Sequence, residues 1–243
     1  MLVLRKSNTM KKIVTFGLGI SVTLFGVASE FEQPLSKISP EMVNFVALAP
    51  AGGTSINVDK KDPYKMIKTV ADITFKRFAN EQTAIQKNPN ILKDIVREEL
   101  IPYINYQYAA FKVIGSNFKK TNKAERAEFV PVFRDYLITS YAQVFTLYKN
   151  QQVIFAPAKD FSNDKVVAVN TSVIEPGRSP IDISFRVRKS SKTQEWKAYD
   201  MVAEGVSLLD SKQAELSSLI RQKGLPHVTE MLKEKAQKTI VFK

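Results

Sequence analysis

The chain has 243 residues, 44% of them hydrophobic, and a formal charge of +12, enough to bury a substantial core in one or two domains. No cysteine is present, which excludes disulfides, thiolate zinc sites and cysteine nucleophiles but leaves the redox compartment open.

Residues 1–29 read as targeting. Arg5, Lys6, Lys11 and Lys12 precede an apolar run from Ile13 to Ala28, and no acid appears before Glu30. That is the pattern of a secretory signal, with Ala28-Ser29 as a small-residue exit. A membrane anchor is the alternative, since the run approaches a spanning length. Met10 offers a second start, and Ala49-Pro50-Ala51 a second cleavage position. Removing residues 1–29 takes away four positive charges and leaves 32 basic against 24 acidic residues, a formal +8. Such a balance serves nucleic acid, an anionic lipid surface or plain solubility. Export argues against nucleic acid, as does the scatter of the positives (Lys60-Lys61, Lys119-Lys120, Lys233, Lys235, Lys238).

Residues 30–61 carry Pro34, Pro40, Pro50, Gly52 and Gly53 with little periodicity and read as a flexible leader. A domain is expected over 62–240, helical over about 62–149, with a sheet over about 152–209 and helices over about 210–238. Asp62-Pro63 caps and starts the first helix, with Tyr64, Ile67, Ala71, Phe75 and Phe78 on one side. After the break at Asn88-Pro89, a helix over Ile91 to Leu100 is stopped or kinked by Pro102. Another follows from Tyr103 to Ile114, closed by Gly115. Asn122-Lys123-Ala124-Glu125 has capping-box spacing and opens the longest helix, to about Lys149. Its stripe of Phe129, Val132, Phe133, Tyr136, Leu137, Tyr141, Val144 and Leu147 is core in the plainest reading. Pro131 either kinks this helix or moves its start.

From Gln152 the period changes to two. Val153 to Ala156, Lys165 to Val173, Ile181 to Arg188 and Trp196 to Leu209 read as four strands, and short connections make an antiparallel meander the simplest topology. Asp210 is expected to cap a helix ending at Gly224, and Leu225-Pro226 to open the last helix. Strands grouped after helices define an α+β protein, its sheet packed by helices and preceded by a helical subdomain.

The stretch Tyr199 to Leu209 has no clean polar face, so the last strand is either covered on both sides or bulged at Gly205. Its carboxylates, Asp200 and Glu204, are better suited to satisfying backbone donors or an arginine than to acid–base work. Glu98-Glu99 reads as a solvated helical pair. The one histidine, His227, falls in the first turn of the last helix, at a surface or capping position. No phosphate loop, metal-ligand pattern or nucleophile elbow appears, so neither catalysis nor a cofactor or metal is expected.

The string Ala198-Tyr199-Asp200-Met201-Val202-Ala203-Glu204-Gly205-Val206-Ser207 resembles the signature of the MlaC family of periplasmic phospholipid carriers, also called the toluene-tolerance family. Asp62-Pro63-Tyr64-Lys65-Met66, Glu99-Leu100-Ile101-Pro102-Tyr103 and Phe133-Arg134-Asp135-Tyr136-Leu137 agree in the same order, so the resemblance runs from about Asp62 to about Lys238. It implies a nuclear-transport-factor-2-like sheet, with phospholipid acyl chains held between sheet and helices. It also implies shuttling across the periplasm between an outer-membrane lipoprotein–porin complex and an inner-membrane ABC transporter, which maintains outer-membrane lipid asymmetry. On this basis Phe129, Phe133, Tyr136, Phe185, Met201, Val202, Val206 and Leu208 are expected to meet lipid. Arg126 and Arg178, which match arginines of the family pattern, are expected to meet a headgroup or a partner. The long leader and Pro131 depart from the family pattern. Another apolar ligand, or a closed core in a structural or chaperone-like protein, remains an alternative.

Overall fold

The computed structural model describes residues 13–16, 20–23, 57–149 and 151–242, in two units divided after Ile56. In the first unit, Ile13–Phe16 (β1) and Ile20–Thr23 (β2) pair antiparallel, Ile13 opposite Thr23. The expected leader over 30–61 lies outside the described residues as far as residue 56, as do both cleavage positions; its last residues, 57–61, are instead packed in the second unit.

The second unit opens ahead of Asp62. Val58 is buried, and the Lys60 carbonyl accepts from the Trp196 amide at 2.8 Å. Helix α1 (Pro63–Asn80) begins as the sequence predicts: the Asp62 carboxylate accepts from the Tyr64 and Lys65 amides at 3.0 Å each, and Pro63 takes the first helical position. After α2 (Gln82–Lys87), α3 (Ile91–Ile95) runs into a widened turn over Val96–Leu100 and a tight one over Ile101–Tyr103. Pro102, with no N–H to give, stands where regular helical pairing stops. Asn105 caps α4 (Tyr106–Ile114), and the predicted capping box of Asn122 and Glu125 opens α5 (Lys123–Phe145).

Pro131 therefore lies inside α5, whose start it does not move. Its missing N–H leaves the Ala127 carbonyl without a helical donor. Both residues are exposed, so water can take that carbonyl.

The meander holds five strands where four were read: β3 (Gln152–Phe155), β4 (Val166–Ile174), β5 (Ile181–Lys189), β6 (Trp196–Ala203) and β7 (Val206–Ser207), each antiparallel to the next. The fifth is the end of the predicted fourth. Glu204 (φ 49°) and Gly205 (φ 77°) form a two-residue reverse turn, so Gly205 is a hairpin residue, neither a bulge nor mid-strand. The bulge lies four pairs earlier, where Arg186 faces Asp200 and Val187 faces Ala198, leaving Tyr199 extra. Helix α6 (Leu208–Lys223) starts sooner than predicted because its cap is Ser207, whose hydroxyl accepts from the Asp210 amide at 2.9 Å. Gly224 then leads into α7 (Leu225–Gln237).

Three apolar cores result. One joins α4, α5, α6 and α7; one joins α1, α2, α3 and α5; the third packs α1 on the sheet around Trp196. The segment after α7 is tied into the second: Ile240 is buried, its amide donates to Asn90 Oδ1 at 3.0 Å, and Gln143 brackets Val241 at 2.7 and 3.4 Å. Among the described residues no helix is long and apolar enough to cross a membrane.

Candidate functional site

Helix α5 buries apolar side chains on two faces and leaves Ala127, Glu128 and Pro131 exposed. Phe129, Phe133 and Tyr136 face α4, α6 and α7, while Ile138 and Ala142 face the α1–α3 core. Between these faces run Leu137, Tyr141 and Val144, at the helical spacing i, i+4 and i+7, with Tyr148 just past the end of the helix. All four are only half-buried.

Tyr141 packs against the α1–α3 core. Burial pushes its hydroxyl up to about 12, with the Asp200 carboxylate and then Tyr136 adding to the rise. Burial also raises Tyr148, and it raises Tyr103 with help from Glu99. On the sheet, Phe185 and Met201 stand opposite each other in register, both half-buried.

Asp200 fixes the sheet to α6. Its side chain is 1% exposed and accepts from the Leu209 amide at 3.0 Å, the Ser207 hydroxyl at 2.8 Å and Arg186 Nη1 at 3.1 Å. Glu204 is spent on the Asp182 amide at 2.6 Å. Glu98 and Glu99 share Arg77, which Glu81, Glu98 and Glu99 hold firmly charged against its partial burial. Lys212 is buried beside Glu215 with its ammonium 5.5 Å from the Tyr136 ring; burial opposes its charge, but Tyr136 and Glu215 outweigh it and leave its pKa raised. His227 is exposed in the first turn of α7. These groups have structural partners and none is set against a nucleophile. Among the described residues no three metal-ligating side chains come together.

The predicted lipid-contact residues do not form one surface. Phe129 and Phe133 are stacked at 5.6 Å and fully buried with Tyr136 in the helical core. Phe185 and Met201 lie on one pair of strands, and Leu208 is the half-buried first residue of α6. Val206 is 42% exposed on β7. Val202 lines a groove of about 420 Å³ at the end of the sheet away from Trp196, with Ile154 and Ile183 but also Asn170, Ser172, Asp182 and Ser184. Arg126 is turned inward onto the Phe118 and Thr121 carbonyls, and Arg178 is exposed beside Glu175 at 3.2 Å. Leu137, Tyr141 and Val144 belong to the predicted core stripe, but nothing in their spacing separates a cavity-facing side from a closed one.

The architecture is α+β, helices packed beside an antiparallel meander, with the buried Asp200 carboxylate tying sheet to helix. A family profile described as MlaC protein matches residues 68–234. The intermembrane phospholipid transport system binding protein MlaC of Haemophilus influenzae is 32% identical over 190 residues, 78% of this chain and 89% of that protein. The chain belongs to the MlaC family. In fold it resembles a phospholipid-binding protein from Ralstonia solanacearum, solved in complex with a phospholipid, with a TM-score of 0.64 at 21% identity over 72% of this chain and 97% of that one.

Proposed function

We propose that this chain is a phospholipid carrier that takes acyl chains between α5 and the sheet and moves lipid between two membranes. The observation that carries this is the half-buried run of Leu137, Tyr141 and Val144 along α5, with the Tyr141 hydroxyl desolvated by burial. In this reading Phe185 and Met201 form the facing wall, and Phe129, Phe133 and Tyr136 the packed layer behind α5. Each methylene buried contributes about 0.8 kcal/mol, so apolar burial alone can hold a lipid while its headgroup stays in water. Export by residues 1–29 places the carrier in the periplasm, between an inner-membrane ABC transporter and an outer-membrane lipoprotein–porin complex. Catalysis has no part in this reading, because the buried carboxylate is held by three donors.

The test is mass spectrometry of the organic extract from freshly purified protein, wild type and Leu137→Glu. A carboxylate at residue 137 would meet the acyl chains and cost several kcal/mol if charged. Phospholipid in the wild type and its loss from a folded Leu137→Glu are expected. A different apolar compound would change the ligand. No extractable lipid, with an unfolded Leu137→Glu, would point to a closed core.

A further inference from the structure

The link between α4 and α5 is held more firmly than a connector requires. Gly115 takes φ +56°, and a Cβ there would come within 2.4 Å of Gln213 Nε2 on α6. Asn117, 4% exposed, donates from Nδ2 to the Ser217 carbonyl at 3.2 Å and hydroxyl at 3.1 Å. Arg126 reaches back from α5 to the Phe118 carbonyl at 3.1 Å and to the Thr121 carbonyl, with its guanidinium 4.2 Å from the Phe118 ring. Two ties and a close approach at Gly115 thus fix a six-residue turn, Gly115–Lys120, whose tip belongs to none of the three cores.

What the turn presents is one aromatic ring among cations. Phe118 is 37% exposed, braced edge-on by Phe111 at 5.4 Å. Residues 112–128 contain five basic side chains (Lys112, Lys119, Lys120, Lys123, Arg126) and two acidic ones (Glu125, Glu128). Glu125 is occupied by the Asn122 amide, and the four lysines are exposed and enter no ion pair among the described residues. Exposed lysines are mobile point charges that suit a diffuse negative surface better than a shaped carboxylate site. Four to eight of them about an apolar side chain match the charge and depth of an anionic bilayer interface.

We infer that the Gly115–Lys120 turn docks this protein on anionic phospholipid bilayers, with Lys112, Lys119, Lys120 and Lys123 over the phosphates and Phe118 inserted between headgroups. The inference stands apart from the carrier reading: the cavity is read by lipid in the purified protein, the turn by vesicle binding.

The experiment floats the full exported chain with vesicles of phosphatidylglycerol and phosphatidylcholine in equal parts, and with phosphatidylcholine alone. Wild type is expected to bind the anionic vesicles, to bind neutral ones at least about tenfold more weakly, and to detach as salt rises from about 0.05 to about 0.5 M. The double variant Lys119→Glu, Lys120→Glu should lose binding at least about tenfold, at roughly 1 kcal/mol per surface cation. Lys165→Glu with Lys192→Glu makes the same charge change on the sheet side and should bind like wild type. Phe118→Trp should shift its emission to shorter wavelength on anionic vesicles, against a native Trp196 that is already buried. Wild type that ignores anionic vesicles overturns the inference, even if the turn variant then fails to bind an acidic protein. Equal losses in both double variants, or an unshifted Phe118→Trp, overturn it as well.

Discussion

Asp200→Asn tests whether the buried carboxylate is a structural tie or part of the ligand site. The carboxylate serves one buried amide, one hydroxyl and one guanidinium, at 3.0, 2.8 and 3.1 Å. Asparagine keeps an oxygen for Leu209 but loses the charge that strengthens all three bonds. Hydrogen bonds to charged groups contribute about 1.5–3 kcal/mol against about 1 for neutral ones, so roughly 0.5–2 is lost per bond. Arg186 is 41% exposed and stands 3.8 Å from Asp210, so it can turn to that partner and to water, and its share is discounted. A net loss of about 2 kcal/mol remains, which lowers the Tm by about 4–8 °C in a domain of this size. Asp200→Ala also strands the Leu209 N–H and the Ser207 hydroxyl and should cost about 3–4 kcal/mol. The assay is thermal and urea unfolding, with extracted lipid measured on the same samples. A Tm within about 2 °C of wild type for Asp200→Asn, or Ala no worse than Asn, refutes the structural account. Full stability with lost lipid would make Asp200 a ligand-site residue.

Tyr141→Phe should behave distinctively at high pH. The Tyr141 hydroxyl titrates near 12 when folded and near 10 when exposed, so its contribution is intact below 10 and is lost as pH rises towards 12. The phenylalanine variant should therefore lose less stability over that window, and an unchanged pH profile would count against a desolvated hydroxyl. Val206→Glu should remain folded with a nearly unaltered Tm, because Val206 is 42% exposed on a short edge strand. Its lipid load then decides whether β7 borders the cavity. Gly115→Ala should destabilise by about 1–2 kcal/mol in urea unfolding, since a side chain at φ +56° is strained and Gln213 must move.

Where local chemistry decides, the sequence was readable. Asp62-Pro63 and the Asn122–Glu125 capping box place helix starts that the structure keeps, and the alternation in Ile181 to Arg188 gives β5. The misreadings share a cause, which is that backbone reversals compete with side-chain pattern. Glu204 entered the left-handed region beside Gly205, and a stretch read as one strand became a hairpin whose second arm caps a helix through Ser207. The half-buried run on α5 is harder to read. Leu137, Tyr141 and Val144 share a helix and a hydrophobicity with Phe129 and Phe133, and only packing separates the half-open side from the closed one. Arg126, expected to meet a headgroup or a partner, bends back to carbonyls five and eight residues earlier and closes the turn before α5.

The position of Ile240 carries a consequence for the timing of assembly. The bond from its amide to Asn90 spans 150 residues, and its side chain completes the core beneath α1, α2 and α3. That core cannot close while residue 240 is still inside a ribosome, however early its helices form, because long-range contacts come late and their loop must be closed first. For the exported carrier proposed above, the delay keeps the chain threadable. A nascent polypeptide whose first helices lack their last wall is loose enough to pass a translocation channel, and it becomes rigid only on the far side.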